Sequence, residues 1–507
     1  MKKFRILLVV AVAFASGAMF GGCSLVYEEY GTVNDSIFPQ TEEDADMLVV
    51  GSAYEIFRLG QWAGWFSQDT YVSVGDITIN KAGGYFPWNW GNYKFDMWPM
   101  LDPWNNYFRK LGLLEQTQAI LADLPVSDKK VRNRQIAEVK LAKGWLAFQL
   151  WTLYGPIPLV PLEALNDPLN EQNIPRATEE QMEEYIVTNI SEAIPDLEMK
   201  YEYGAPDYGR FTQALGHMVL LKFYMQKRYW DKAEAEAREL MDSKYGFDLV
   251  PVYKDIFTLA NEGNVETIWA CPGVDGICNG VGVFVANSLP ADYDCGVPAQ
   301  AAWNGNALTW PFYFSFEEGD KRIEEPLVIA EYVGKDGTVH NYHNDRETGN
   351  LSWQNYWGPA AVKYEVDPST TGYSSNIDWI VYRYADVITL LAEAIYKQVG
   401  VTQEAVDQIN RLRVRAGLDP YSLGDPEVSS ANFMETLLEE RAHELYWESD
   451  FRRLDLIRND LWNEKMKEKC EWYNDTPYTG KEEFELFPIP NDAIIASNGA
   501  IKQNPGY

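Results

Sequence analysis

Apolar side chains return at intervals of three and four residues along much of this chain, and the stretches that carry them come in pairs joined by very short turns. Val139, Ala142, Leu146, Leu150 and Leu153 form one such stripe, stopped by Gly155 and Pro156. Thr178 with Gln181 reads as a capping box that opens the next helix. Ala214, Met218, Leu221 and Met225 make a third face, and Trp230, Ala233, Ala237 and Leu240 follow at once, ending near Gly246. Late in the chain Tyr384, Ile388, Leu391 and Ile395 run to Gly400, then Ala405, Ile409, Leu412 and Ala416 run to Gly417. Met434, Leu438, Ala442 and Leu445 give one more face. This period marks amphipathic helices and confines the chain to a mainly α fold.

Small residues such as Ala233 and Ala237 let paired helices approach closely, as in tetratricopeptide-like pairs of about 34 residues. The expected fold class is therefore mainly α, a tetratricopeptide-like helical-pair scaffold with loop-rich, minor-β excursions. Two helical blocks bracket a middle, about residues 247–375, that is rich in Gly, Asn, Asp and aromatics. Thr267-Ile268-Trp269 and Val281-Gly282-Val283-Phe284 read there as short β-type runs. The stretch of about 71–104 has the same texture. Long loops inside a compact body are functional or disordered, and the aromatic content of these argues against disorder.

Composition narrows the function. Asp and Glu outnumber Lys and Arg by 75 to 43 over 507 residues, a formal charge of −32. Such a body repels phosphate backbones and anionic headgroups, so nucleic acid is excluded as a partner. The chain holds 18 Trp and 31 Tyr, and that surplus suits a protein that grips neutral, polar ligands as well as one that packs a core.

The first residues read as an address. Lys2, Lys3 and Arg5 precede an apolar run, Ile6 to Phe20, that is short for a bilayer span and ends in Gly21-Gly22-Cys23. A Cys directly after the small residues of a processing site is the pattern of a bacterial lipoprotein, with residues 1–22 as signal peptide and Cys23 taking the lipid, palmitate included. Residues 23–39 are then a tether, and residues 40–507 a single helical domain with insertions at about 71–104 and 247–375. Membrane attachment is expected by the lipid anchor only. The remaining Cys271, Cys278, Cys295 and Cys470 match no zinc spacing, and their disulfide state stays open. No cofactor and no metal is expected; calcium stays open in so acidic a chain, although no loop has EF-hand spacing.

Several ordered motifs carry a resemblance to one known protein family. Arg383-Tyr384-Ala385-Asp386-Val387 followed by Ala392-Glu393-Ala394 is similar to one family helix. Ile409-Asn410, Leu412-Arg413 and Arg415-Ala416-Gly417-Leu418 resemble a second. Glu440-Arg441, Glu444-Leu445, Glu448 and Asp455-Leu456-Ile457-Arg458 resemble a third segment, with Ser449 where the family has Gly. Leu486-Phe487-Pro488-Ile489-Pro490 and Gln503-Asn504-Pro505-Gly506-Tyr507 resemble the family's closing signature. Leu153-Tyr154-Gly155-Pro156-Ile157-Pro158 and Gly209-Arg210-Phe211-Thr212 are looser matches. Together these motifs resemble the SusD/RagB family of outer-membrane nutrient-binding lipoproteins, and the resemblance implies a SusD-like fold and a lipid-anchored, cell-surface protein of the outer membrane, working in polysaccharide utilisation. It also implies a SusC-like TonB-dependent porin as partner, to which captured oligosaccharide or polysaccharide is delivered.

The charged motif residues Arg383, Asp386, Glu393, Glu440, Glu444 and Asp455 read as scaffold ion pairs and caps. No catalytic residue is expected. His443-Glu444-Leu445-Tyr446-Trp447 lacks the second His of H-E-x-x-H, and His340 with His343 reads as a solvated pair in a loop. Binding a pyranose needs flat rings for its C–H face and amides or charged donors for its hydroxyls. Hiding about 60 Å² on a ring gives on the order of 1.5 kcal/mol, so two or three rings give weak, releasable binding. The leading candidates are Trp88, Asn89, Trp90, Tyr93 and Trp98, with Lys81 standing loosely where starch-type relatives have an Arg. Trp303, Asn304, Asn306 and Trp310 form a second set, and Trp353, Tyr356 and Trp357 a third. Trp104 reads as a core anchor. A SusD-like binder of peptide or glycopeptide is the alternative, and an α-helical glycoside hydrolase is a further one.

Overall fold

The computed structural model describes residues 38–55, 75–81, 89–91, 93, 103–167, 173–274, 280–348, 356–448, 451–473 and 485–507. Its principal helices are α1 (Glu42–Val49), α2 (Arg109–Asp123), α3 (Lys129–Tyr154), α4 (Glu179–Ala193), α5 (Gln213–Gln226) and α6 (Trp230–Leu240). After the middle region come α9 (Tyr384–Val399), α10 (Gln403–Ala416), α11 (Phe433–Leu445), α12 (Arg452–Arg458) and α13 (Trp462–Tyr473). Two short helices, α7 (Gly282–Ser288) and α8 (Tyr342–Glu347), lie within that region.

Each of α2 to α6 packs on the next, and α6 packs directly on α9, which then packs on α10 and α11. The array of helix pairs is therefore continuous across an insertion that leaves it after α6 and rejoins it at α9. Sequence reasons for the pairing are visible in the caps and the close contacts. Thr178 and Gln181 form the reciprocal capping box expected for α4. A Cβ on Gly144 would lie 2.4 Å from Ile190 Cγ1, so α3 and α4 meet at a distance that only glycine permits. The stripes Val139, Ala142, Leu146, Leu150 and Ala214, Met218, Leu221 are buried as their period requires.

Strands are few and paired two by two. β1 (Thr78–Asn80) is antiparallel to β3 (Asn306–Leu308), with Asn80 opposite Asn306. β2 (Thr267–Cys271) pairs with β8 (Trp379–Arg383), β4 (Val328–Ile329) with β7 (Ala360–Ala361), and β5 (Tyr332–Val333) with β6 (Val339–His340). The run Val281–Phe284 corrects the sequence reading, because it enters α7 and not a strand. It is a short, largely buried apolar run, whose period cannot tell strand from helix.

The charged motif residues are buried and paired. Arg383 donates to Glu266, Glu444 and Glu448, and Arg415 donates to Glu266 and Glu444. Arg322 is held by Asp320 and Glu440, and Lys363 by Glu448. Burial pushes the Glu444 carboxyl up, but Arg415, Arg383 and Arg322 outweigh it and hold it below the usual carboxylate range. A second network links Arg441 to Asp386 and Asp455, and Arg458 to Glu393 and Asp455. These groups stitch α9, α11 and α12 together, the scaffold role expected of them. The chain's last motif closes on its first: Asn504 Nδ2 donates to the carbonyls of Tyr154 (3.0 Å) and Phe487 (2.7 Å).

One further expectation is corrected. His340 is buried, with Nε2 2.9 Å from Asp292 Oδ2 and Nδ1 3.4 Å from Asp345 Oδ1, whereas His343 is exposed as expected. Burial, then the nearby Arg322, pushes the His443 imidazole well below its usual range, and Ser315 Oγ sits 2.8 Å from its Nε2. Cys295 and Cys470 carry unpaired thiols. Among the described residues no helix is long and apolar enough to cross a membrane, and no group of three His, Cys, Asp or Glu converges as a metal cluster.

Candidate functional site

Trp303 presents its ring to solvent, at 41% exposure, beside Tyr373 at 43%. Their centroids are 5.4 Å apart and the planes tilt by 56°, so together they form a shallow, open platform. Both rings stand on loops, and the backbone beneath them is fixed. The amide of Trp303 donates to Ala286 (2.6 Å), that of Asn304 to Leu289 (3.0 Å) and that of Gly305 to Asn287 (2.7 Å), strapping this loop across α7. The loop of Tyr373 is joined to the same segment, since Ala301 N donates to Gly372 O and Gly372 N to Ala299 O. Asp367 closes that loop from within, accepting from Ser369 N (2.8 Å), Ser369 Oγ (2.7 Å) and Asn376 N (2.7 Å). A Cβ on Gly282 would fall 2.0 Å from the carbonyl oxygen of Tyr373, so α7 supports the loop by direct backbone contact.

Polar donors stand next to this platform. Lys81 follows β1, its amide donates to Gly305 O (2.6 Å), and its ammonium donates to Asn304 Oδ1. Burial pushes the Lys81 ammonium down to about 7, so its charge changes near neutral pH. Asn304 holds a left-handed backbone, with φ 52°, which an asparagine tolerates better than most residues. Flat rings with a lysine alongside, held by the buried Asn304, can take the C–H face of a sugar and donate to its hydroxyl rim.

The other sequence candidates divide sharply. Asn89 is buried and spends its amide on the edge of β1, accepting from Asn80 N (2.9 Å) and donating to Asn80 O (2.6 Å). Trp90 is packed inside against Trp357 and Tyr473, at centroid distances of 5.9 and 5.7 Å. Tyr93 packs edge-on to Phe487. Trp310 is 2% exposed and lies under Phe314, Tyr313 and Tyr342. Burial thus corrects the assignment of Asn89, Trp90, Tyr93 and Trp310, whose groups hold the loops in place and do not face ligand. Asn306 is buried in β3, Trp357 joins the Trp90 cluster, and Trp104 is a core residue as expected. Trp88, Trp98, Trp353, Cys23 and Cys278 lie outside the described residues.

Sequence reasoning missed Tyr373. Its signal was the Asp367-Pro368-Ser369 turn and Gly372 just before it, which mark a tightly closed loop carrying an aromatic tip. An apolar groove of about 770 Å³ lies elsewhere, between α2 and the segment Pro158–Leu165. A polymer laid across a surface needs an accessible shelf and not an enclosed cavity, so the exposed ring pair is the better candidate.

Comparisons with known proteins agree with this architecture. The sequence profile of the SusD family matches residues 300–507. A SusD-like protein P2 of Formosa agariphila is 24% identical over 80% of this chain and 80% of its own length. A SusD superfamily protein of Parabacteroides distasonis, 21% identical, superposes with a TM-score of 0.73 over 92% of this chain and 99% of that one. Surface glycan-binding protein A of Bacteroides thetaiotaomicron, solved with laminarihexaose, is 20% identical and superposes with a TM-score of 0.71 over 91% of this chain and 99% of that one.

Proposed function

Because the chain belongs to the SusD/RagB family, we propose that it is a glycan-binding lipoprotein of the bacterial cell surface. It captures oligosaccharide or polysaccharide and passes it to a SusC-like TonB-dependent porin, without cleaving it. The observation that carries this reading is the exposed pair Trp303 and Tyr373, on loops pinned to the body, with Lys81 and Asn304 beside it. The laminarihexaose complex of the Bacteroides thetaiotaomicron neighbour supports a saccharide as the ligand class. Lipidation at Cys23 and an outer-membrane position follow from the amino-terminal pattern and the family, and Lys81, Trp303 and Tyr373 are the proposed ligand contacts.

A hydrolase reading finds less support. The two carboxylates pushed up to about 7 are engaged in structural contacts. Burial, then Asp378, pushes Glu262 up to about 7, yet it accepts from Asp378 N (2.6 Å) and Tyr203 OH (2.6 Å). Burial likewise pushes Glu138 up to about 7 while Arg210 donates to it.

Affinity electrophoresis against a panel of polysaccharides tests the proposal. At least one polymer retards the protein, Trp303→Ala and Tyr373→Ala relieve the retardation, and no reducing sugar appears. Release of reducing sugar would instead support the hydrolase. Failure of the whole panel, with porin association intact, would support the peptide binder.

A further inference from the structure

Arg346 is an exception among the arginines. Among the described residues, every other buried or half-buried arginine donates to a carboxylate or to backbone carbonyls. Arg322 and Arg452 bond Asp320 and Asp76, and Arg132 and Arg453 bond carbonyls of Leu121 and Thr152. Arg346, on α8, does neither, and its Nη1 is buried with no hydrogen-bond partner. Its guanidinium instead lies among four rings, with Cζ 4.7 Å from the centroid of Tyr356, 5.2 Å from Trp472, 5.8 Å from Tyr342 and 5.9 Å from Tyr473. Ring faces offset part of the cost of drying the charge, but they leave its in-plane N–H donors unfilled.

The surroundings are open on one side. Phe314 is 56% exposed and Trp472 36%, and Tyr342 joins them, with ring centroids 5.7 and 6.2 Å away. Beneath lies Trp310, 4.8 Å from Tyr342. The support is fixed: Tyr473 OH donates to Trp357 O and accepts from Trp310 N (3.2 Å), and Asn341 caps α8. In the sequence β3 lies between the two ring sets, Trp303 preceding the strand and Trp310 following it.

We propose that Arg346, flanked by Tyr342 and Trp472 with Phe314 beside Tyr342, is a second saccharide subsite, selective for sugars bearing an anionic group, carboxylate or sulfate ester. In a chain of net charge −32 the general field opposes such a ligand, so it binds only where a cation lacks an internal carboxylate. Arg346 is such a place. Its fork matches a two-oxygen anion, and the rings beside it take the apolar face of the sugar. This subsite does not depend on the Trp303–Tyr373 reading.

The test is calorimetric titration of the protein with a hexauronate, a sulfated galactan hexasaccharide and a neutral β-glucan hexasaccharide. At least one acidic ligand binds, and Arg346→Gln weakens it about tenfold or more, the scale of a charged hydrogen bond. Its affinity falls with added salt, and Arg346→Lys restores part of it. In the unaltered protein the indole N–H resonance of Trp472 shifts with the same ligand, a readout that needs no variant to fold. The two acidic arms identify the anion. Absence of binding by both acidic ligands, or full binding by a folded Arg346→Gln protein, overturns the proposal; loss of the neutral glucan alone bears only on the first platform.

Discussion

The helical interior around Arg383 and the loop face around Trp303 are both held rigidly, by opposite means. In the interior, α9 to α12 are joined by charges removed from water and balanced against one another, so each group is indispensable to its partners. At the loop face, backbone amides and one aspartate do the fastening, and the side chains at the tips are left with little structural duty. The contrast also runs within a single segment: Trp303 is 41% exposed and Trp310 is 2% exposed, though both are tryptophans in the same aromatic stretch. Abundance of rings therefore says little about ligand contact. What matters is whether the backbone is secured by other groups, which frees the ring to face solvent.

The largest effect that would break this comparison is in the interior. Arg383→Met leaves Glu266, Glu444 and Glu448 short of a cation, and stability should fall by about 3–5 kcal/mol in urea denaturation. A loss below about 1 kcal/mol would show that the network is not what holds α9 and α11 together. Next, Trp310→Ala removes a buried ring and should cost about 3–5 kcal/mol of stability, with binding by the folded fraction retained at the first platform. Trp303→Ala should do the reverse, weakening a retarding polysaccharide about tenfold while the melting temperature stays put. Equal stability losses for the two tryptophans would erase the distinction drawn here.

The smallest effect concerns pH. Lys81 is pushed down to about 7 by burial, so it is charged below that value and neutral above it. An ammonium donates more strongly to sugar oxygens than an amine does, and affinity should decline about fivefold as pH rises through 7. Titrations from pH 6 to pH 8.5 would read this, and Lys81→Gln should flatten the profile. A profile that rises with pH would contradict the assignment.

Much of the fold was legible because its causes are local. The stripe Val139 to Leu153, the capping box of Thr178 and the stop at Gly155 each act within a few residues, and each is found where the pattern places it. The short run at Val281 was not legible, because a buried apolar stretch satisfies helix and strand equally. The site was harder for a related reason. Exposure of an aromatic ring depends on contacts distant in sequence, as when Tyr473 and Trp357 cover Trp90. The sequence marks Lys81 and Trp303 as candidates, but nothing local distinguishes them from Trp90 or Trp310. Tyr373 comes next to Trp303 only because Gly372 bonds the segment at Ala299 and Ala301.

Indole resonances of the protein, labelled with ¹⁵N and titrated with the polysaccharide that retards it, examine the account at its centre. The signal of Trp303, assigned by its disappearance in Trp303→Phe, should move on addition of saccharide while those of Trp90 and Trp310 stay still. A still Trp303 signal with movement at the buried indoles would contradict it.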